Sequence, residues 1–407
     1  MKSTIKILIT LTAVLLVMAG CEYDGPTAMY DRPYEETDPP VITSVDPPEA
    51  VAGVNFITIY GENFSETLDS NKVYVDGFLS EIVDFDTSFL TIRRPNRTGD
   101  STVIKVVNYE TIGHATHSPY KILPVYERYG GFIENAELTA LAVSSNGDLY
   151  VAQGGSPRVL YHVSSDGSNK TLLGETSRGV TDMKMAPDGK LVLLCNNKSI
   201  YKFNVEEKLE TEWLSQDERV SFGDFDADGN FYAGGRKTGI VVIKPDLSVA
   251  TIDLYSNDEI FCMRMFNDAL YLLVQTARPD EATPEMAVWR HPIQDANGTL
   301  GEKELVVDWA VFEANEESVP IYFTISKEGV IYLSSDDVQS VYSYDMHLQV
   351  RDILYKGILP AGGYCLSWGI GNDLYMVQGE DIEGNEVNDL IRIDMGTSGA
   401  PYYGWSK

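Results

Sequence analysis

Residues 139–155 read TALAVSSNGDLYVAQGG, two apolar runs joined by an Asn-Gly turn with an acidic neighbour. The same pattern recurs five times towards the C-terminus, as DMKMAPDGKLVLLCN (182–196), GDFDADGNFYAGG (223–235), CMRMFNDALYLLVQ (262–275), YFTISKEGVIYLSS (322–335) and LSWGIGNDLYMVQG (366–379). The copies are anchored on Tyr150, Val192, Tyr232, Tyr271, Tyr332 and Tyr375, at intervals of 42, 40, 39, 61 and 43 residues. A repeat of this length predicts four-stranded blades, so we expect an all-β chain with a six-bladed β-propeller over residues 126–407.

Each copy supplies the first two strands of a blade, and the residues after it supply the other two. In the first copy we expect LTALAVS as the innermost strand, followed outwards by DLYVAQG, VLYHVSS and KTLLGE. Apolar and polar residues alternate in the second and third strands, which places apolar side chains between neighbouring blades. The repeat pattern resembles that of NHL-type six-bladed propellers.

The last blade lacks an obvious outer strand, because few residues follow the sixth copy. Either Tyr402–Trp405 or Val125–Phe132 can supply that strand. A closed ring avoids an exposed sheet edge, which would invite aggregation. We favour the N-terminal segment.

Residues 39–125 form a separate unit of short alternating strands between Gly, Asn, Asp and Pro residues, which predicts a small antiparallel sandwich. Its early strands include Val41-Ile42 and Ile57-Thr58-Ile59-Tyr60, and Gly61-Glu62-Asn63-Phe64 follows. This last sequence resembles the Gly-x-Asn-Phe turn that ends the second strand of IPT/TIG immunoglobulin-like domains. The resemblance implies a spacer or docking module without chemistry of its own.

Residues 1–20 have the layout of an export signal, with two lysines before an apolar stretch too short to remain as a membrane span. Met18-Ala19-Gly20-Cys21 resembles a bacterial lipobox, which implies acylation of Cys21. Residues 21–38 are rich in Pro and acids, and we expect an extended tether. Acidic residues directly after the cysteine resemble the surface-export signal of Bacteroidota lipoproteins, which implies an outer-membrane protein that faces the cell exterior. The alternatives are an ordinary cleaved signal and a linker whose acids have no sorting role.

The formal net charge is −30, from 31 basic and 61 acidic residues. So acidic a surface disfavours nucleic acids and anionic headgroups as partners, because phosphates attract Lys and Arg. Acylated Cys21 is therefore the predicted attachment to outer-membrane lipid. The remaining cysteines, Cys195, Cys262 and Cys365, lie in apolar strands of different copies, and we expect small buried hydrophobic residues without a disulfide.

The sequence contains no recognisable catalytic motif: Gly-x-Ser-x-Gly, His-Glu-x-x-His and the Walker loop are all missing. Asp224, Asp226 and Asp228 have the spacing of calcium ligands, but Gly235 stands where such a loop needs a bidentate Glu. A hairpin turn is the better interpretation, because SNGD and PDGK occupy the same place in other copies. We therefore predict neither a metal nor another cofactor.

Propeller ligands commonly bind where the loops from second to third strands meet the loops that enter each innermost strand. Two of these loops are long, 275–286 and 378–388, and the segment 298–317 is a further insertion. Such insertions on one face of a repeat array often make a binding surface. The candidate ligand residues are Gln153, Arg158, Arg178, Arg236, Gln275, Arg278, Trp289, Trp368 and Gln378. The alternatives are pairing with neighbouring carboxylates for the arginines and packing between blades for the tryptophans.

Together these features favour a non-enzymatic binding or accessory subunit that captures a glycan or a peptide beside a SusC/SusD-like TonB-dependent importer. The alternative is a propeller-type polysaccharide lyase or hydrolase at the cell surface. A deep pocket that gathers Arg, His or Tyr with paired carboxylates would favour the enzyme.

Overall fold

The computed structural model describes residues 38–132, 136–280, 282–312, 314, 318–380 and 386–405. The predicted signal, Cys21 and nearly all of the predicted tether lie outside these residues. The described residues form two sheets near the N-terminus and six four-stranded sheets after them. None of them belongs to a helix with the length and hydrophobicity that crossing a bilayer requires. The predicted fold class, an immunoglobulin-like sandwich followed by a six-bladed propeller, is confirmed.

The N-terminal sandwich consists of two sheets with the strand orders β1-β3-β7-β6 and β2-β9-β8-β4-β5. Its strands are β1 (Val41–Asp46), β2 (Glu49–Ala50), β3 (Phe56–Glu62), β4 (Asn71–Val75), β5 (Phe78–Ser80), β6 (Ile82–Asp86), β7 (Phe89–Arg93), β8 (Gly99–Asn108) and β9 (His114–Ile122). A 3₁₀ turn, Leu68–Ser70, precedes β4. Alternate residues of β3 and β7, among them Ile57, Ile59 and Leu90, are fully buried between the sheets, as expected for sandwich strands.

The Gly-x-Asn-Phe sequence has a steric basis. A Cβ atom on Gly61 would lie 2.0 Å from the carbonyl oxygen of Val41 and 2.4 Å from Cζ of Phe64, so only glycine fits beneath the buried ring. Asn63 has a positive φ of 62°, and its Nδ2 donates to the carbonyl of Pro39 at 3.0 Å. The motif therefore closes the second strand over the start of the domain.

The propeller contains twenty-four strands in the described part of the chain. The first twelve after the sandwich are β10 (Tyr126–Arg128), β11 (Leu138–Val143), β12 (Leu149–Gln153), β13 (Val159–Val163), β14 (Lys170–Glu175), β15 (Asp182–Met185), β16 (Leu191–Leu194), β17 (Asn197–Asn204), β18 (Leu209–Val220), β19 (Phe222–Phe225), β20 (Phe231–Gly234) and β21 (Ile240–Ile243). The others are β22 (Val249–Ile252), β23 (Glu259–Phe266), β24 (Ala269–Gln275), β25 (Met286–Pro292), β26 (Glu304–Asp308), β27 (Pro320–Ile325), β28 (Val330–Ser335), β29 (Val341–Asp345), β30 (Val350–Ile353), β31 (Gly363–Trp368), β32 (Asp373–Glu380) and β33 (Glu386–Asp394).

Five blades are built from four consecutive strands, beginning with β11, β15, β19, β23 and β27, and we number them 1 to 5. Blade 6 has the order β10-β33-β32-β31, so β10 supplies its outer strand. Tyr126 pairs with Ile393 and Arg128 with Ile391, which confirms the closure by the N-terminal segment. Each innermost strand contacts the next, and β31 contacts β11, so the ring is closed.

The sequence predicts an insertion over 298–317, but this segment is not simply an insertion. It contains β26, the outer strand of blade 4, and a 3₁₀ turn, Trp309–Phe312. Val307 is buried and Val306 packs against the same core, which explains why this stretch forms a strand. The long interval between the fourth and fifth anchors is instead divided among the connections on either side of β25 and after β26.

The three cysteines are free, with Cys262 and Cys365 buried and Cys195 half-buried. Burial raises the pKa of the thiols of Cys195 and Cys365 to about 12, so both are protonated at neutral pH. The prediction of small hydrophobic residues without a disulfide is confirmed for this part of the chain.

The sandwich docks on the propeller beside blades 5 and 6. Arg93 NH1 lies 3.0 Å from Asp352 Oδ1, and Lys356 Nζ lies 3.1 Å from Glu81 Oε2. The hydroxyl of Tyr355 accepts the N–H of Gly53 at 2.8 Å and donates to a carbonyl of the last propeller strand at 2.7 Å. These contacts join the two units over a polar interface.

Candidate functional site

The six anchor residues lie in second strands. Each pairs with a residue in the innermost strand of its blade, and these six residues lie at one level of the central channel. The pairing is direct in all six blades. The partners are, from blade 1 to blade 6, Ala142, Lys184, Asp224, Arg264, Thr324 and Ser367. Polar and charged side chains thus occupy the centre of the ring at five of six equivalent positions.

The first polar cluster in the channel joins opposite blades. Lys184 Nζ lies 2.7 Å from Asp182 Oδ1 and donates to the hydroxyl of Tyr322 at 2.7 Å. The Tyr322 hydroxyl donates to the same carboxylate oxygen at 3.0 Å. Asp182 also accepts the backbone N–H groups of Met183 and Gly223. Because all three charged or hydroxyl groups are buried and mutually bonded, the cluster holds blades 2, 3 and 5 together.

The second polar cluster joins blades 3 and 4. Arg264 NH1 lies 2.9 Å from Asp224 Oδ2, and both side chains are buried. Asp224 accepts in addition the N–H groups of Met265 at 2.9 Å and Phe225 at 3.0 Å. In both clusters the carboxylates face backbone N–H groups as well as a cation.

The charge states follow from these contacts. Burial by itself would lower the pKa of the Lys184 amine, but Asp182 and Asp224 outweigh burial and raise it. Burial raises the pKa of the Tyr322 hydroxyl well above its usual range, and Asp182 adds to that effect. At neutral pH the amine is therefore charged and the hydroxyl neutral, so both act as hydrogen-bond donors.

A tail after β33 covers the end of the ring where first and second strands join, which we call the turn face. Gly399 forms a bridge with Ser326, and Ala400 N donates to the carbonyl of Ile325 at 2.9 Å. Further along, the Tyr402 hydroxyl donates to the carbonyl of Met185 at 2.6 Å. The tail, residues 396–405, therefore crosses from blade 5 to blade 2.

The tail reaches blade 1 as well. Trp405 Nε1 donates to the carbonyl of Val143 at 2.6 Å, and the rings of Tyr402 and Trp405 meet edge to face at 5.6 Å. A Cβ atom on Gly399 would lie 2.4 Å from Cγ of Trp368, so the tail backbone touches the indole of blade 6. Tyr402–Trp405 thus has a role different from the outer strand that was considered for it.

A cavity of about 330 Å³ lies in the channel between the Lys184–Tyr322 bridge and the tail. Its basic lining residues are Lys184, Arg264 and Lys327, and no Asp or Glu is among the described residues that line it. Hydroxyl and aromatic groups also line it, namely Tyr322, Thr324, Ser367, Ser398, Trp368, Tyr402 and Trp405. Apolar side chains such as Leu141, Met183 and Leu366 form much of the remaining wall. Lys327, Ile370 and Pro401 line the cavity and are exposed, which places its mouth on the turn face.

Two buried N–H donors in this wall have no hydrogen-bond partner among the described residues. They are Nε of Arg264 and Nε1 of Trp368. The two residues are only 8% and 7% exposed. Both nitrogen atoms have less than 1 Å² of accessible surface, so neither donor faces the cavity itself.

The opposite end of the ring, which we call the loop face, holds most of the predicted ligand residues. Leu138 pairs with Gln153 and Glu259 with Gln275, so the second strands end where innermost strands begin. Gln378 is buried at the equivalent place in blade 6. Four predicted arginines are exposed in loops of this face: Arg158, Arg178, Arg236 and Arg278.

Two of these arginines have a partner in the structure, and only Arg236 pairs with a carboxylate, the alternative given above. Arg178 Nε donates to the hydroxyl of Tyr201 at 3.3 Å, and Arg236 Nε lies 3.4 Å from Glu259 Oε2. Residues 281 and 381–385 of the two long acidic loops lie outside the described part of the chain. The Lys184–Tyr322 bridge separates the loop face from the cavity.

The placement of both tryptophans on the loop face is wrong. Trp289 is buried between blades 3 and 4, with Lys303 Nζ 4.5 Å from its ring centroid. Trp368 ends β31 and lies at the turn face, where it lines the cavity. Both side chains are large and apolar, and the spaces between blades and beneath the tail bury them.

The channel residues were missed because each was assigned to an apolar strand of the repeat. The available signal was a charge within such a strand, as in DMKM, GDF and MRM, at the position paired with the anchor. Charged residues are rarely buried unless they are paired, so unlike charges at equivalent positions of adjacent copies indicate pairing across the channel.

Residues 224–230 contain a hairpin turn, and Asp224 pairs with Arg264 in the channel. Asp226 accepts N–H groups of Asp228 and Asn230 at 3.0 and 2.8 Å, and Tyr232 donates to it at 3.1 Å. In the described residues no group of three or more His, Cys, Asp or Glu side chains could hold a metal ion. Phe225 pairs with Phe231 across the turn, which confirms the hairpin interpretation.

Residues 40–122 match the IPT/TIG domain family. The N-terminal sandwich is an IPT/TIG domain. No curated protein matches this chain in sequence. A protein of unknown function from Bacteroides thetaiotaomicron shares the fold of the IPT/TIG domain and propeller, with a TM-score of 0.50 and 12% identity over 88% of this chain and 98% of that one.

Two further structures are similar at the same low identity. An auxiliary nutrient binding protein from Bacteroides thetaiotaomicron has a TM-score of 0.50 and 12% identity over 87% of this chain and 98% of that one. A luciferin-regenerating enzyme has a TM-score of 0.52 and 12% identity over 70% of this chain and 100% of its own. Because one fold carries several functions, this likeness shows the architecture alone.

Proposed function

We propose that this protein is a non-enzymatic binding or accessory subunit at the bacterial cell surface. It is anchored in the outer membrane through acylated Cys21 and captures a glycan or a peptide beside a SusC/SusD-like TonB-dependent importer. The lipobox-like sequence and the acidic tether support the anchoring, and the fold supports a binding platform.

The observation that carries the proposal is the state of the groups around the cavity. Lys184 and Arg264 are each held by a buried carboxylate, and the pKa of the Tyr322 hydroxyl is raised by burial. Such groups donate hydrogen bonds from fixed positions but do not take up protons at neutral pH. An array of fixed donors binds a ligand, whereas general acid–base catalysis needs groups that titrate near the working pH.

A known protein of this fold motivates the functional class. The Bacteroides thetaiotaomicron protein named an auxiliary nutrient binding protein is covered almost completely by the likeness. We infer only the functional class from this likeness, because 12% identity does not show that the two proteins bind the same ligand.

The contacts of the IPT/TIG domain fit a presenting role. It is joined to blades 5 and 6 through Arg93, Lys356 and Tyr355, and its Gly53 lies against Gly396 at the start of the tail. A spacer fixed in this way holds the propeller at a defined orientation to the IPT/TIG domain.

The anchoring is tested by labelling cells with a palmitate analogue. Wild type should be labelled and Cys21→Ala should not, while Cys195→Ala serves as the matched control and should keep its label. Affinity purification in mild detergent should recover a TonB-dependent importer, and arrays of glycans and peptides should identify a ligand.

Silence on both arrays together with no importer in the eluate would contradict the proposal. The rival function, a polysaccharide lyase or hydrolase, predicts new chain ends when the protein is incubated with the glycans it binds. Reducing-end and absorbance assays for unsaturated products distinguish the two functions.

A further inference from the structure

We propose that the outer face of the five-stranded IPT/TIG sheet is a docking surface for an acidic protein partner, which in the proposed assembly is the importer. The inference rests on the proposed function in one respect, that a TonB-dependent importer is a partner. It goes beyond that function in assigning the contact to one face of one domain and in naming the chemistry of the partner's surface.

One row of cross-strand pairs shows which side chains this outer face presents. Tyr74 pairs with Lys105 on one side and with Leu79 on the other. Val73 and Ile104, which alternate with them in β4 and β8, are fully buried in the sandwich core. Because successive side chains of a strand point to opposite faces, the row of Tyr74 points away from that core. We call this surface the basic face, and it consists of Lys72, Tyr74, Leu79, Val103, Lys105 and Tyr109.

The basic face has positive charge that the domain does not pair. The five-stranded sheet contains three lysines, and among the described residues only Lys121 forms an ion pair, with Glu49 at 3.8 Å. Lys72 and Lys105 are half-buried on the face and have no such partner in the described part of the chain. Unpaired cations on one face are unusual in a chain with a net charge of −30, and they favour a partner that is acidic at the contact.

Two acidic residues border the basic face, and both are bonded to the domain. Asp76 Oδ1 accepts the N–H of Val103 at 2.8 Å. Glu110 accepts the hydroxyls of Ser65 and Ser70 at 3.0 and 2.7 Å. Both carboxylates are therefore engaged in holding turns at the border of the sheet.

Exposed apolar and aromatic groups lie beside the two lysines. Leu79 is 63% exposed and Tyr109 is 61% exposed, and the hydroxyls of Tyr74 and Tyr109 lie 3.5 Å apart. Of the large apolar side chains exposed in the described residues, ten belong to residues 40–122 and twelve to the much longer segment 126–407. Soluble proteins expose such groups together mainly where a partner covers them, and tyrosine is enriched in protein interfaces.

The position of the basic face suits a partner in the membrane. A Cβ atom on Gly113 would lie 3.2 Å from Cβ of Pro39, and Gly113 directly precedes β9 of the same sheet. The predicted tether ends directly before Pro39, so the face lies near the point where the chain leads to the proposed anchor. The contacts with the propeller, through Gly53, Glu81 and Arg93, lie elsewhere on the domain. We therefore assign the face to the importer, which the same membrane holds beside the anchor.

Affinity purification of the full-length protein from outer membranes in mild detergent tests the assignment. Lys72→Glu with Lys105→Glu reverses the charge of the basic face, and the amount of TonB-dependent importer in the eluate should fall at least about tenfold below wild type. Lys198→Glu with Lys208→Glu makes the same change in net charge at two exposed lysines of blade 2 and should leave the recovery unchanged. All four substitutions are on the surface, so the thermal midpoints of both variants should stay close to that of wild type.

Leu79→Ser tests the apolar part of the contact without a change in charge. Because Leu79 is exposed, the variant should unfold like wild type while the recovery of the importer falls. Leu348→Ser, at a leucine of blade 5 that is 73% exposed, is the matched control and should recover the importer as wild type does.

The inference is overturned if Lys72→Glu with Lys105→Glu, or Leu79→Ser, recovers the importer as wild type does, and the proposed function would then still stand. An eluate of wild type without the importer would contradict the importer partnership itself and this inference with it. Sedimentation of wild type as a dimer, or its binding to phosphatidylglycerol vesicles, would also overturn the assignment if charge reversal of the basic face abolished it. The face would then belong to a second copy of the chain or to the membrane.

Discussion

Lys184 donates a hydrogen bond of 2.7 Å to the hydroxyl of Tyr322 across the centre of the ring. The two residues belong to the innermost strands of blades 2 and 5, which face each other in a ring of six. Neighbouring blades are held by apolar side chains, but opposite blades have few means of contact except through the channel. This hydrogen bond therefore stabilises the ring across its diameter and divides the channel into a loop side and a turn side.

Tyr322→Phe should destabilise the propeller while leaving its fold intact. The change removes the hydroxyl that accepts from Lys184 and donates to Asp182, and leaves buried polar groups with fewer partners. We expect a loss of about 1–3 kcal/mol in the free energy of unfolding. Urea denaturation measures it as a lower midpoint at an unchanged slope.

Tyr332→Phe is the control for that measurement. Tyr332 lies in the second strand of the same blade, and its hydroxyl makes no hydrogen bond with the described residues. An equal loss in both variants would show that the Tyr322 hydroxyl does not hold the ring together.

Lys184→Met should be more damaging than Tyr322→Phe. It leaves Asp182 buried beside backbone N–H groups and a hydroxyl without a cation, and breaking a buried pair from one side costs about 3–5 kcal/mol. The double change Lys184→Met with Asp182→Asn removes the uncompensated charge. We expect the double variant to be more stable than Lys184→Met alone.

The midpoint of urea unfolding for the four proteins of this cycle provides the measurement. A double variant that loses the sum of the two single losses would mean that Lys184 and Asp182 do not interact.

The architecture was predictable because its signal is periodic. Four of the five intervals between the anchors Tyr150 to Tyr375 are 39 to 43 residues long, and each anchor packs in a second strand as that repeat requires. Gly61 and Phe64 likewise identified the sandwich, since their contact is local in sequence and admits no other residue. Local and periodic sequence patterns predict the structure, because the residues that form such a pattern are also neighbours in the fold.

The site was not predictable in the same way. Asp182 and Tyr322 meet across 140 positions, and Trp405 covers a strand that begins more than 260 residues earlier. Ring closure and the course of the tail decide which side chains meet in the channel. Neither of them produces a periodic pattern in the sequence. Trp368 stays a predicted ligand residue, but it lies on the turn face, because it ends an innermost strand instead of beginning one.

Stability should fall as the pH is lowered below 6.5, because of His291. Its Nδ1 lies 3.0 Å from the carbonyl of Gly301 and its Nε2 lies 2.8 Å from the hydroxyl of Tyr255. Burial lowers the pKa of His291, and the carbonyl of Gly301 offsets part of that effect. The folded chain thus binds this proton less readily than the unfolded chain does, so protonation favours unfolding as the pH falls from about 6.5 towards the folded pKa.

The slope contributed by this single group is at most about 1.4 kcal/mol per pH unit. Urea midpoints between pH 5.0 and 7.0 measure it, and His291→Gln should flatten the dependence. His347→Gln, at an exposed position, should leave the slope as in the wild type. A slope unaffected by His291→Gln would place the pH dependence in other groups.

Gly399→Ala should lift the tail from the turn face. A Cβ atom at this position would lie 2.4 Å from Cγ and 2.7 Å from Cδ2 of Trp368, and overpacking of this kind costs about 1–3 kcal/mol. The tail is held by separable hydrogen bonds, such as those from Ala400 N and Lys327 N, so it should yield before the blades do. Faster hydrogen exchange at these two amides measures the effect.

Gly379→Ala, where the nearest atom is 3.8 Å away, is the control and should exchange as the wild type does. Unchanged exchange in Gly399→Ala would mean that Trp368 moves instead of the tail, and the cavity would then change shape from the blade 6 side.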